Sequence, residues 1–247
     1  MQTGMLLKSL IRAPKTTIKN PWVKTPQRPP YILEQDKKAV AKYNRHIKKN
    51  SNRTFLIRPK LLPEPFIGNP HTAVVIFLGL NPCYKRSDSL THTDQKFRLA
   101  VQRNLRHKKS RYPFYPLNPR FRNSGVATWW RKCLSELLEE IQDDALVAKK
   151  VCAIEWFPYH SKRAKLRGFR KNPLPSQEYS FSLLREALRD KTKTVVLMRA
   201  DTEWREQVAS LRGVLRLKNP QRSYVSRGNI GTKQFRRLLR AISDQRI

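Results

Sequence analysis

The stretch Val74-Val75-Ile76-Phe77-Leu78-Gly79-Leu80-Asn81-Pro82-Cys83-Tyr84 decides the fold. Residues 74–78 run apolar without a break and are rich in β-branched and aromatic types. That composition suits a strand buried on both faces of a parallel sheet. The run ends abruptly. Gly79 permits close backbone approach and Asn81-Pro82 is a turn signal, so Asn81 and Tyr84 are delivered just beyond the strand's carboxyl end. In open α/β sheets that edge is where ligands bind.

Working outward, residues 151–157 form a second such run, which closes on Glu155-Trp156-Phe157-Pro158-Tyr159-His160-Ser161. Residues 194–198 and 214–217 read as shorter third and fourth strands. Helical spacing marks residues 94–107 through Phe97, Val101 and Leu105, and residues 125–141 through Val126, Trp130, Cys133, Leu134 and Leu137. It recurs after Ser176, after Asp201 or Thr202, and in a last helix with Phe235, Leu238 and Ile242. Strand and helix alternate four times. The expectation is an α/β fold, three layers in the order α/β/α, around a central four-stranded parallel sheet with its ligand loops on one edge. Residues 66–247 form this domain. Residues 1–65, basic and broken by Pro14, Pro21, Pro26, Pro29 and Pro30, read as an N-terminal extension with one helix near residues 34–49. The extension reads as a DNA-binding arm, with a solubilising tail or, at residues 1–19, an organelle-targeting peptide as the alternatives. The proline-punctuated residues 61–68 are expected to lie over the sheet, and residues 85–93 to form a polar loop.

The chain of 247 residues carries 52 Lys and Arg against 18 Asp and Glu, a net charge of +34. An excess of this size points to a polyanionic partner, DNA or RNA, and argues against a general enzyme for small neutral substrates. No apolar run approaches the roughly 20 residues needed to span a bilayer, and no signal-peptide block is present. The expectation is a cytoplasmic monomer without membrane contact. The three cysteines, Cys83, Cys133 and Cys152, are odd in number and widely spaced. They build no zinc pattern and no four-cysteine cluster, so reduced thiols are expected, with no metal and no cofactor. Cys83 reads as a small filler, since no histidine is its sequence-level partner.

Two further segments could grip a nucleic acid. Residues 111–122 interleave Tyr112, Phe114, Tyr115 and Phe121 with Arg and Pro, a composition that either stacks a base or covers the domain. Residues 161–172 carry Arg163, Lys165, Arg167 and Arg170 with almost no acid, and read as a phosphate-binding loop. The Trp129-Trp130 pair reads as core.

With its first strand ending Gly79-Leu80-Asn81-Pro82, and Asn219-Pro220 following the fourth, the chain resembles the uracil-DNA glycosylase superfamily. The likeness is to its mismatch-specific thymine/uracil branch, which has a Gly-x-Asn-Pro first motif and an Asn-Pro-Ser second motif, and it covers residues 74–241. The wording Leu-Pro-Glu-Pro-Phe-Ile-Gly-Asn-Pro before the first strand and Trp-Phe-Pro-Tyr-His-Ser after the second is similar to a bacterial subgroup associated with anti-phage defence. The resemblance implies a monofunctional, metal-free DNA glycosylase. It removes a flipped base from duplex DNA, with glucosylated hydroxymethylcytosine of phage DNA as the leading substrate and uracil or a mismatched base as the alternative.

Hydrolysis of an N-glycosidic bond passes through an oxocarbenium-like sugar and needs a placed water, stabilisation of the departing base, and extrusion of the nucleotide. On the resemblance, Asn81 holds the water and Asn219 donates toward base or sugar. Tyr84 stands where a ring stacks on the flipped base, with Phe114 of the aromatic loop as a further candidate from composition, and Glu155 and His160 are candidates for reading the base edge. A carboxylate accepting from an exocyclic amine suits a cytosine-type base. The alternatives are a buried ion pair for Glu155 and a structural hydrogen bond for His160. Arg222, Ser223 and Tyr224 stand where the family's wedge enters the duplex. The sequence departs from the family there, since Gln221-Arg222-Ser223-Tyr224 replaces a Ser-Gly-apolar run, and Cys83 stands where glycine is common. A non-catalytic nucleic-acid-binding protein accounts for the charge equally well. Under either reading, log affinity for duplex DNA should fall with log salt by about 0.9 for each phosphate neutralised, and a flat salt titration would exclude phosphate-led binding.

Overall fold

The computed structural model of the protein describes residues 18–50, 53–208 and 210–244. Its sheet comprises β1 (Phe66–Ile67), β2 (Val75–Gly79), β3 (Val151–Glu155), β4 (Thr194–Leu197) and β5 (Leu215–Arg216), in the order β1-β3-β2-β4-β5. β2 is central and parallel to β3 and β4, and β5 continues the parallel set beyond β4. The fold is α/β, and the sheet is five-stranded and mixed where four parallel strands were expected. The extra strand comes from the proline-punctuated lead-in: β1 pairs antiparallel with β3, Phe66 opposite Ile154 and Ile67 opposite Ala153. Pro63 and Pro65 donate no backbone hydrogen bond, which an edge position tolerates. The Pro65 carbonyl still accepts from Glu155 N at 2.9 Å.

The helices are α1 (Lys37–Asn50), α2 (Arg86–Thr91), α3 (Gln95–Leu105), α4 (Gly125–Cys133), α5 (Ser135–Ile141), α6 (Asp144–Lys150), α7 (Arg167–Lys171), α8 (Gln177–Arg189), α9 (Asp201–Gln207), α10 (Arg227–Ile230) and α11 (Thr232–Ser243). Helix α3 starts where an N-cap should be, with the Asp94 carboxylate accepting from Phe97 N. The expected loop at residues 85–93 holds α2. The apolar stripe expected to make one helix of residues 125–141 is broken at Leu134, where φ is −107° and ψ 12°. Val225 N donates to the Cys133 carbonyl at 2.8 Å, so a group that a continuous helix would use internally is taken by a distant segment. Helix α8 packs on β3 and β4, α6 on β3, and α11 on β2.

Within residues 1–65, the stretch from 18 onward contributes to the same hydrophobic core as the sheet: Trp22, Tyr31, Leu33, Val40, Ile57 and Leu62 are all buried in it. The targeting alternative at residues 1–19 falls almost entirely outside the described residues. Asp36, with no exposed surface, ties this segment down. Its carboxylate accepts from the Tyr159 hydroxyl at 2.6 Å and from Ser176 N, just before α8, at 3.2 Å. Trp22 packs edge-on against Tyr159, ring centroids 5.9 Å apart. Trp22→Ala should therefore lower the unfolding free energy by about 3–5 kcal/mol, as for other large-to-small core changes; equal denaturant midpoints for variant and wild type would show that this segment is not part of the core.

Candidate functional site

The segments leaving β2 and β3 run side by side past the end of the sheet. Tyr84 N donates to Ser161 O at 3.1 Å, and Cys83 and Ser161 form an isolated parallel bridge. This pairing brings Asn81 to Ser161, whose Oγ accepts from Asn81 Nδ2 at 3.0 Å. A second bond from Nδ2 goes to the Pro82 carbonyl at 3.0 Å. With the amide so assigned, Asn81 Oδ1 has no protein donor among the described residues and is free to accept from a water.

Beneath the two segments lies a cavity of about 640 Å³. Asn81, Glu155, His160 and Arg163 line it, four of the residues expected to act together. Half-buried Trp129, with Trp130 at 4.6 Å and Met198, gives it an apolar wall, so the tryptophan pair read as core also reaches the cavity. Exposed Lys85, Lys162, Arg163 and Arg199 supply positive charge at its rim. An adjoining cleft shares Lys85 and Lys162 and is walled by Arg53, Arg58, Tyr84 and Arg86, with no acidic side chain. Tyr84 sits in this cleft rather than in the cavity, its ring 4.6 Å from the Arg58 guanidinium carbon.

Glu155 is the unusual group. It ends β3 directly opposite Gly79, and a Cβ at Gly79 would lie 2.2 Å from Glu155 Oε2. Only glycine leaves that carboxyl its space. Glu155 is 5% exposed, and Oε2 has no hydrogen-bond partner among the described residues. Burial first, and neighbouring Glu64 second, push its pKa up to about 8 against the pull of Arg199.

Glu64 itself is buried and satisfied. Its Oε1 accepts from the Tyr115 hydroxyl at 2.5 Å and its Oε2 lies 3.5 Å from His160 Nε2. Burial raises the Glu64 pKa, opposed by His160 and by the Tyr115 bond. His160 faces carbonyl oxygens on both ring nitrogens, Cys83 O at 3.1 Å and Leu62 O at 3.0 Å. His92 accepts the Leu62 N–H at 3.1 Å, and burial, then His160 and Arg98, hold its pKa well below the ordinary value. Glu64, His92 and His160 can each bring one ligand atom within 4.8 Å of the others. A metal-bound imidazole keeps one nitrogen for the ion and uses the other for an outer partner. His160 spends both on carbonyls, so the set fits a buried hydrogen-bonded cluster better than a metal centre.

The remaining expected residues are placed elsewhere. Phe114, expected against the base, has no exposed surface and packs edge-on to Trp130 at 5.0 Å, which shuts its ring from the cavity. Asn219 is exposed and outside the cavity lining; its Oδ1 accepts from Gln221 N and Arg222 N in a local turn. Asn229 fixes that loop through Nδ2 bonds to the Arg222 and Tyr224 carbonyls. Ser223 is buried and accepts from Arg199 Nε at 2.9 Å, so Arg199 joins the loop to the cavity rim. Arg222 is exposed, and Lys132 Nζ lies 5.6 Å over the Tyr224 ring. Lys165 and Arg167 are exposed, whereas Arg170 is ion-paired with Glu206 and lies 4.0 Å from Glu203. His92, Met198 and Arg199 were missed in the sequence because nothing in their local pattern separates them from core or surface, and Glu64, though inside the Leu-Pro-Glu-Pro wording, was given no role there. No family model, curated protein or solved structure matches the chain.

The Glu155 carboxyl gives stability a direction in pH. In the unfolded chain it ionises near its ordinary 4.5, and in the folded chain only near 8. Between those values the folded state holds a proton that the unfolded state has lost, so stability present below 4.5 declines as pH rises toward 8. Glu155→Gln abolishes this titration. Denaturant unfolding across that interval should show the variant gaining on the wild type as pH rises; parallel curves would mean that Glu155 ionises normally.

Proposed function

We propose that this protein is a DNA glycosylase that hydrolyses the bond between deoxyribose and a flipped, modified base to leave an abasic site, with glucosylated hydroxymethylcytosine as the leading substrate. The observation that carries this reading is Asn81 at the carboxyl end of the central strand, anchored through Nδ2 with Oδ1 facing no donor among the described residues, in a cavity also lined by Glu155, whose Oε2 has no partner among them. Anchored in this way, the amide can position a water on one face of the sugar, a role in proximity rather than proton abstraction. Trp129 offers an aromatic face for an extruded base. The cavity exceeds what a single pyrimidine ring fills, which supports a base carrying a bulky substituent.

The cationic rim and adjoining cleft fit the phosphates that flank an extruded nucleotide. Exposed Lys37, Lys38, Lys42, Arg45, Lys48 and Lys49 on or beside α1 add a second basic face. Asn219 acts through its loop on this reading, since it lies outside the cavity lining.

Base release from glucosylated phage DNA and from uracil- and mismatch-containing duplexes, scored as alkali-sensitive breaks, tests the reading. Asn81→Ala should lose at least about 10²-fold in rate, the scale of a misplaced reactant, while its DNA affinity stays that of the wild type. DNA binding without base release from any substrate would favour the non-catalytic alternative.

A further inference from the structure

We propose that Glu155 is the general acid of this site, and that its carboxyl selects a base with an amidine edge, a ring nitrogen acceptor beside an exocyclic amine, as in the cytosine class. The inference rests on the glycosylase reading and adds to it a proton donor and a rule for the base. Glu155 is placed for the role by the sheet. Its register opposite Gly79 and the missing Cβ there let the carboxyl stand at the cavity wall on the same edge as Asn81. The side chain is buried, and Oε2 has no partner among the described residues. A buried polar atom without a partner is costly unless a ligand or water completes it.

The groups around Glu155 keep the proton on it. Glu64, from the lead-in before β1, repels a second negative charge, and Tyr115 spends its hydroxyl on Glu64. His160, beyond β3, is turned to Glu64 and to two carbonyls. Arg199, after β4, draws the other way but is engaged with Ser223. The outcome is a carboxyl whose pKa is pushed up to about 8, so that it is mostly protonated at neutral pH. A neutral carboxyl has one O–H donor and one carbonyl acceptor side by side. A cytosine-type base presents the complement, a ring nitrogen lone pair at N3 next to the N4 amine.

The chemistry follows from that pairing. As the C1′–N1 bond breaks, its electron pair moves into the ring and the Glu155 proton passes to N3, so the base departs neutral rather than as an anion. The water held by Asn81 adds through oxygen to C1′ and releases one proton, which returns through solvent to the Glu155 carboxylate. A uracil-type base carries hydrogen at N3 and has no lone pair there to take the proton.

Single-turnover base release from glucosylated hydroxymethylcytosine DNA, with Glu155→Gln beside the wild type, tests the role. The amide keeps one donor and one acceptor, so the variant should bind the DNA as the wild type does yet lose about 10²–10⁴-fold in rate, the usual share of general acid catalysis. The wild-type rate should fall as pH rises through about 8, and the variant's should not. Equal rates, or one shared pH profile, would overturn the acid role and leave the glycosylase reading standing wherever the wild type releases base. No release from any DNA removes that reading and the acid role together. Edge selection is then judged on its own by quenching of tryptophan fluorescence with free 5-hydroxymethylcytosine and free uracil. Preference for the cytosine-type base, lost in Glu155→Ala, supports it, and equal binding of both bases overturns it.

Discussion

Two carboxyls, Glu64 and Glu155, are buried at the carboxyl edge of one sheet, and the architecture around that edge is arranged to let them be there. Glu64 is supplied with a tyrosine hydroxyl and a histidine. Glu155 Oε2 has no hydrogen-bond partner among the described residues, only the space left by the missing side chain of Gly79 on the neighbouring strand. Two like charges so close in a low-dielectric setting do not both ionise comfortably. Burial pushes both toward their neutral forms, but Glu64 has a hydroxyl and a histidine that oppose the push, and this difference separates their chemical roles.

The Glu64 half also holds the walls of the cavity. Leu62 offers its N–H to His92 and its carbonyl to His160, and His160 reaches on to the Cys83 carbonyl. One residue of the lead-in, Leu62, is thereby tied to His92, which caps α2, and to the segments after β2 and β3. A buried polar group left without its partner is costly, so the position of Asn81 depends on side chains that never touch it. Residues 18–65 reinforce the arrangement through Asp36, which grips Tyr159 just before His160.

Much of the site is legible in the chain. Asn81 follows from a buried strand that stops at a turn, and Glu155 and His160 from a second strand that stops in the same way. Phe114 and Asn219 show the limit of such reasoning. An aromatic in an aperiodic basic loop looks the same in sequence whether it faces a base or Trp130, and an Asn-Pro pair looks the same whether its amide faces a cavity or closes its own turn. The break at Leu134 was equally hidden, since the hydrogen bond responsible comes from Val225, far along the chain.

The sequence by itself determined the alternation of strands and helices, the buried strand at residues 75–79 and the strongly cationic balance of the chain, because apolar runs, their periods and formal charge are local quantities. Only the tertiary structure decided that the lead-in adds an antiparallel strand and that Trp129 and Arg199 reach the cavity. It also set Glu155 over Gly79, short of a partner. Those facts depend on strand register and on which distant group claims each hydrogen bond. A pKa moved by burial is likewise a property of the surroundings rather than of the residue.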